Sequence, residues 1–82
     1  MSSREEILSV VQNIVRDVLD NDAVQLSYAT VAENVPFWDS LAHVRIMVAI
    51  EKFFRIRFEV DELNSFENVG ALVDGIIAKK AA

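Results

Sequence analysis

Apolar residues recur at spacings of three and four in this chain, and this periodicity limits the possible fold more than any other feature of the sequence. In the first stretch they are Ile7, Val11, Ile14, Val15, Val18 and Leu19. Ser3 and Glu6 precede them with the spacing of a capping box, so we expect a helix over residues 3–19. The polar side of this helix is expected to point outward and consists of Gln12, Asn13, Arg16 and Asp17.

Two further long helices are predicted. Residues 41–54 contain neither Gly nor Pro, and a helix over 40–54 is expected there. Its apolar residues cover more than half of its circumference, which is more than one neighbouring helix buries. The set predicted to face the core is Ile46, Met47, Ile50, Phe53 and Phe54. Ser65 is expected to cap a last helix over residues 66–79, with the apolar residues Phe66, Val69, Leu72, Val73 and Ile76 on one side.

The segments between these helices lack a sustained helical periodicity. Residues 20–39 show no sustained period and form a long loop, of the kind that is usually functional or folds over the core. Residues 56–60 alternate like a strand without an obvious partner, so we interpret them as an extended connector before a short helix at about 60–64. The prediction is one all-α domain over residues 1–82, a four-helix bundle with three main helices and one short helix.

Composition narrows the possible functions. A net charge of −5 argues against binding to nucleic acid. The absence of cysteine and the single His leave no thiolate zinc site, no cysteine nucleophile and too few ligands for a typical metal site, so no metal is expected. Residues 1–5 lack the apolar stretch of a secretory signal, and the apolar runs are short. We therefore expect a cytoplasmic monomer that does not insert into membranes.

The charges are unevenly distributed along the chain. Residues 1–39 carry seven acids against two cations, and residues 58–82 carry five acids against two cations. Residues 40–57 hold four cations against Glu51 alone. An acidic chain thus contains one basic segment, which coincides with the predicted second helix and the start of the connector that follows it.

The sequence Phe37-Trp38-Asp39-Ser40-Leu41 opens the second helix after the long loop. It resembles the Asp-Ser-Leu signature of the acyl and peptidyl carrier protein family. The tripeptide alone is weak evidence, but the resemblance extends over nearly the whole chain, in the order and lengths of the helices and of the segments that join them.

The resemblance implies a function and a cofactor. Ser40 would be the residue on which a phosphopantetheinyl transferase installs 4′-phosphopantetheine from coenzyme A. The thiol of that group would hold acyl intermediates as thioesters, while the protein shuttles them between enzymes of a fatty acid, polyketide or related pathway. The chain would be a substrate of these enzymes and not itself an enzyme. In the family the acid at the position of Asp39 is associated with the transfer reaction.

Other interpretations of the same residues stay open on sequence alone. Asp39 and Ser40 could simply cap a helix. The chain could be an aminoacyl or peptidyl carrier, or a helical adaptor module without a prosthetic group. A nucleophilic pair of Ser40 and His43 is poorly supported, because no Gly-x-Ser-x-Gly elbow is present. We expect His43 instead to be a surface residue that contacts partners or the prosthetic group.

Partner recognition is expected on the second helix. Leu41, Val44 and Val48 form a stripe below Ser40 that could belong to the core, but the resemblance implies that it lies on an exposed recognition face. Arg45 and Lys52 give the helix basic charge, which either serves recognition or is ordinary solvated charge. Carriers of fatty acid synthases resemble this chain but typically have an acidic second helix that docks on basic patches of their enzymes. The basic helix, together with Trp38, favours a dedicated pathway with its own acyl-loading and acyl-processing enzymes.

Overall fold

A computed structural model describes residues 3–81, so that Met1, Ser2 and Ala82 at the ends of the predicted domain lie outside the described residues. Within this range the fold is all-α and contains no strand. The helices are α1 (Arg4–Leu19), α2 (Ser40–Phe54), the single turn α3 (Val60–Leu63) and α4 (Val69–Ala81). A short 3₁₀ turn at Ala32–Asn34 interrupts the loop before α2. None of these helices is long and apolar enough to cross a membrane.

The capping box expected at the start of α1 is present. Ser3 Oγ accepts a hydrogen bond from the Glu6 amide at 3.1 Å, and Glu6 Oε1 accepts from the Ser3 amide at 3.5 Å. At the other end Asp20 adopts the left-handed conformation, with φ 52°, and its amide bonds back to Arg16 and Asp17. Both ends of α1 therefore form where local side-chain chemistry favours them.

The core forms where α1 packs against both α2 and α4. Its fully buried aliphatic side chains come from all three long helices. They are Ile7, Val11 and Val15 from α1, Ile46, Met47 and Ile50 from α2, and Val73 and Ile76 from α4. Burying this apolar surface is the main source of stability for so small a domain.

Phe53 was predicted to be in the core, and that prediction is wrong. Its side chain is 62% exposed, and its ring packs edge to face on Phe54 with the centroids 5.0 Å apart. At about 100° per residue Phe53 lies between the buried Ala42 and Ile46 around the helix axis, so its angular position alone does not expose it. It lies in the last turn of α2, past Ile50, which is the last fully buried residue of this helix.

The long loop between α1 and α2 folds over the core. Val24 and Leu26 are buried in it. The prediction that Gln12 and Arg16 point outward is wrong, because both are half-buried and hold this loop. Gln12 Oε1 accepts from the Leu26 amide at 2.8 Å, and Arg16 Nε donates to the Val24 carbonyl at 2.7 Å. The polar side of α1 is thus covered by a segment whose path periodicity does not reveal.

The same loop is hydrogen-bonded to the start of α4. The amides of Val69 and Gly70 donate to the carbonyls of Thr30 and Tyr28, each at 2.8 Å. Gly70 is required by this close approach, because a Cβ there would lie 2.8 Å from the Tyr28 carbonyl oxygen. The loop is therefore held at both ends of its buried stretch, and its path leads directly to the start of α2.

The last helix begins later than predicted. Asn68, rather than Ser65, supplies the capping oxygen, since its Oδ1 accepts from the Ala71 amide at 2.8 Å. Ser65 Oγ instead donates to the Glu62 carbonyl at 3.0 Å. Phe66 lies before the helix and packs edge to face on Phe58, with the centroids 5.4 Å apart. The segment between α3 and α4 is thus held by its own contacts and does not extend α4 toward residue 66.

Candidate functional site

Ser40 is the first residue of α2 and is exposed. Asp39 is the N-cap, and its Oδ1 accepts from the Ala42 amide at 2.8 Å. The first backbone hydrogen bond of the helix runs from the His43 amide to the Asp39 carbonyl at 2.8 Å. The amides of Ser40 and Leu41 precede that bond, so the hydroxyl of Ser40 lies beside the positive end of the helix.

Asp39 therefore has the capping role that the sequence left open as an alternative. Its carboxylate satisfies one of the unpaired amides of the first turn, which is the usual function of Asp at this position. This role does not compete with the function that the resemblance implies. The residue remains exposed, and a capping carboxylate fixes where the helix begins and so where Ser40 projects.

His43 is less exposed than the surface residue that we expected. Its ring is half-buried between Trp38 and α3. Nε2 lies 2.7 Å from the Leu63 carbonyl oxygen, which can only accept, so Nε2 carries the proton. Nδ1 then accepts from the indole N–H of Trp38 at 3.1 Å. Because both ring nitrogens are engaged, His43 is not arranged as a base for Ser40.

An open cleft of about 430 Å³ adjoins Ser40. Its walls come from the long loop, the first turn of α2 and the residue after α3. They are Ala32, Trp38, Asp39, Ser40, His43, Val44 and Asn64. The bridge from Trp38 through His43 to Leu63 joins the same three elements, so it holds the walls of this cleft together.

The five residues expected to recognise partners are exposed on α2. Leu41 is 70% exposed, Val44 56% and Val48 41%, and Arg45 and Lys52 are exposed with them. At about 100° per residue, all five fall within an arc of about 100° on the helix surface, with Ser40 about 40° beyond Val44. The structure thus gathers Ser40 and these side chains on one face.

Phe37 is a feature that sequence reasoning missed. Its side chain is 82% exposed, and its backbone adopts φ 68°, in the left-handed region that bulky residues rarely enter. It lies three residues before Ser40, at the turn that leads from Pro36 into α2. An exposed aromatic residue in a strained conformation beside a candidate site suggests a functional contact. The only available signal was its position beside the Asp-Ser-Leu sequence.

Comparisons with known proteins identify relatives over most of the chain, although no family model matches it. Proteins named acyl carrier protein from Tropheryma whipplei, strains Twist and TW08/27, are each 36% identical over 81 residues. Those alignments cover 96% of this chain and 96% of each relative. The solution NMR structure of a holo acyl carrier protein from Geobacter metallireducens superposes with a TM-score of 0.84 at 36% identity, covering 92% of this chain and 86% of that one.

Proposed function

Because the chain belongs to the acyl carrier protein family, we propose that it carries acyl groups on 4′-phosphopantetheine attached to the hydroxyl of Ser40. Members of this family are carriers and not enzymes. The group, when bound, supplies the thiol to which an acyl group is joined as a thioester. The observation that carries the assignment is the exposed Ser40 hydroxyl at the first residue of α2, in a chain with acyl carrier protein relatives over nearly its whole length.

The residues around Ser40 fit such a group. A phosphate on this hydroxyl would lie beside the unpaired amides and the positive dipole end of α2, where an anion is stabilised. Ser40 is exposed, so a modifying enzyme reaches it without disturbing the core. The adjoining cleft of about 430 Å³ offers space for the proximal part of the arm against Trp38 and Val44.

Asp39 supports this role in two ways. Its capping hydrogen bond to Ala42 fixes the start of the helix and the position of Ser40. Its carboxylate, exposed beside the hydroxyl that is modified, is available to a metal ion or a side chain of the phosphopantetheinyl transferase. We assign it a positioning role together with this contact during transfer.

The enzymes served by the carrier meet it through α2. The exposed Leu41, Val44 and Val48 supply apolar contact, and Arg45 and Lys52 supply charge on the same face as Ser40. The basic charge of this face differs from the acidic helix that is typical of fatty acid synthase carriers. We therefore assign the chain to a dedicated pathway with its own acyl-loading and acyl-processing enzymes.

A thiol count tests the proposal sharply, because the chain contains no cysteine. The purified protein is incubated with coenzyme A, Mg²⁺ and a broad-specificity phosphopantetheinyl transferase, and free coenzyme A is then removed by gel filtration. The number of thiols measured with a thiol reagent should rise from zero to one per chain. The intact mass should increase by the mass of one phosphopantetheine group.

Two variants complete the experiment. Ser40→Ala should gain neither mass nor thiol, while Ser9→Ala, an exposed serine on α1, should behave as wild type. A wild-type protein that no transferase modifies, or a Ser40→Ala variant that still gains one thiol, would rule out the assigned attachment.

A further inference from the structure

The basic residues of the 40–57 segment lie together on the surface. Arg45 and Lys52 flank the exposed valines of α2. Beyond them α2 ends at Arg55, whose left-handed backbone, with φ 57°, turns the chain into the connector. An open cleft of about 460 Å³ at this turn is lined by Val48, Glu51, Lys52, Arg55, Ile56 and Arg57. The turn therefore brings Arg55 and Arg57 beside Lys52.

We call the basic face the surface formed by Leu41, Val44, Arg45, Val48, Lys52, Arg55 and Arg57. It begins next to Ser40 and continues to Lys52, about 18 Å along the helix axis. Val44 lines the cleft beside Ser40, and Val48 lines the cleft at the turn. Because these valines are one helical turn apart, the two clefts belong to one continuous surface.

Within the part of the chain that the structure describes, no salt bridge engages a cation of this face. The salt bridges of residues 3–81 join Arg4 to Asp74 and Lys79 to Glu62, away from the basic face. The single acid of the segment, Glu51, accepts a hydrogen bond from the Phe58 amide at 2.8 Å. Glu51 also lines the cleft at the turn, so the segment presents four cations against one carboxylate, a net charge of +3, on an otherwise acidic protein.

We propose, resting on the function proposed above, that the basic face docks enzymes whose carrier-binding surface is an apolar patch rimmed by Asp and Glu side chains. Charge complementarity steers encounter and sets orientation, and like charges exclude the wrong partner. Ser40 lies at the edge of the same face, so docking in this orientation presents the attached group to the partner. Enzymes with a basic carrier-binding surface are rejected by the same four cations.

A nucleic acid or an anionic membrane would also attract cations. The protein partner fits better because the centre of the face is apolar, with Leu41, Val44 and Val48 exposed between the charges. The remainder of the chain is acidic, with twelve acids against four cations outside residues 40–57. That charge repels a polyanion, whereas a globular enzyme contacts only the basic face.

Charge reversal with two transferases tests the proposal. One phosphopantetheinyl transferase is selected for an acidic carrier-binding surface and the other for a basic one, and kcat/KM for loading of Ser40 is measured by intact mass. Lys52→Glu should lower kcat/KM with the acidic-surface enzyme by about tenfold and raise it with the basic-surface enzyme. Added salt should lower the rate of wild type with the acidic-surface enzyme.

The matched control is Lys80→Glu, which changes the net charge equally from the last turn of α4. Lys80 lies over the ring of Phe54, and Phe54 is about 200° around α2 from Lys52. This variant should change kcat/KM less than about twofold. Circular dichroism of both variants verifies that the fold is retained.

The experiment distinguishes a failure of the proposed attachment from a failure of the proposed docking. If neither enzyme loads wild type, the attachment to Ser40 is wrong. If both load wild type but Lys52→Glu behaves as Lys80→Glu does, the attachment stands and the docking proposal is wrong. Binding of wild type to a DNA oligonucleotide or to phosphatidylglycerol vesicles, lost in Lys52→Glu while loading is unaffected, would assign the face to a polyanion instead.

Discussion

Trp38 and His43 are joined side chain to side chain, with the indole N–H donating to Nδ1 of His43 at 3.1 Å and the two rings stacked at a centroid distance of 6.2 Å. The other ring nitrogen of His43 bonds to the Leu63 carbonyl. One imidazole thus connects the long loop, α2 and α3 around the cleft beside Ser40. This connection explains why a polar residue is half-buried three positions after Ser40.

Replacing His43 should weaken this connection without abolishing attachment. His43→Ala leaves the Trp38 indole N–H and the Leu63 carbonyl without their partner, at a cost of about 1–3 kcal/mol of unfolding free energy. Trp38 is the only tryptophan, so its fluorescence reports the change directly during urea unfolding. Hydrogen exchange should accelerate in α3, and Ser40 should still be loaded. Loss of loading in a folded His43→Ala protein would contradict this purely structural role.

The two sides of α2 should differ sharply in their contribution to stability. Ile50→Ala removes a fully buried side chain and should lower the free energy of unfolding by about 2–5 kcal/mol. Val48→Ala, two residues away on the exposed side, should change it by less than about 0.5 kcal/mol. Urea denaturation measures both variants. Comparable losses would mean that the basic face is buried in the folded protein.

The start of α4 is testable through its cap. Asn68→Ala removes the hydrogen bond to the Ala71 amide and should cost about 1 kcal/mol. Ser65→Ala, at the position that sequence alone favours, should cost less than about 0.5 kcal/mol, since its exposed hydroxyl only donates to the Glu62 carbonyl. Thermal unfolding compares the two. A larger loss for Ser65→Ala would move the helix start back toward residue 66.

The ionisation of Glu62 should make the free energy of unfolding depend on pH in the acidic range. A hydrogen bond from Lys79 and a second from the Glu59 amide lower the pKa of Glu62 below its ordinary value. The ionised carboxylate therefore contributes stability above the ordinary glutamate pKa of about 4.3, and this contribution is lost as pH falls through the lower folded pKa. Wild type should exceed Glu62→Gln in stability at pH 7, and the gap should close below about pH 4. A gap that stays constant in urea titrations from pH 7 to pH 3 would contradict this ion pair.

The sequence predicted those features that local chemistry determines. Periodicity identified the long helices, Ser3 and Glu6 marked the start of α1, and Ser40 lies exposed at the start of α2 as expected. The sequence did not predict contacts between segments that are far apart in the chain. Gln12 is a polar residue on the expected outer side of α1, and only the path of the loop shows that it holds Leu26.

The site shows the same limit. A histidine three residues after Ser40 suggests either a base or a surface contact, because the spacing places the two residues on the same side of a helix. Its actual partners, Trp38 and the Leu63 carbonyl, come from the loop and from α3, twenty residues away in the second case. Likewise, the exposure of Phe53 depends on where the packing of α2 against its neighbours ends.

The most direct test of the central claim is to locate the modification within the chain. Trypsin releases residues 17–45 as one peptide, which contains four hydroxyl side chains, those of Ser27, Tyr28, Thr30 and Ser40. After loading with coenzyme A and a transferase, fragmentation mass spectrometry should find one phosphopantetheine in this peptide, on Ser40. A group found on Ser27 or Thr30, or in a different peptide, would contradict the account.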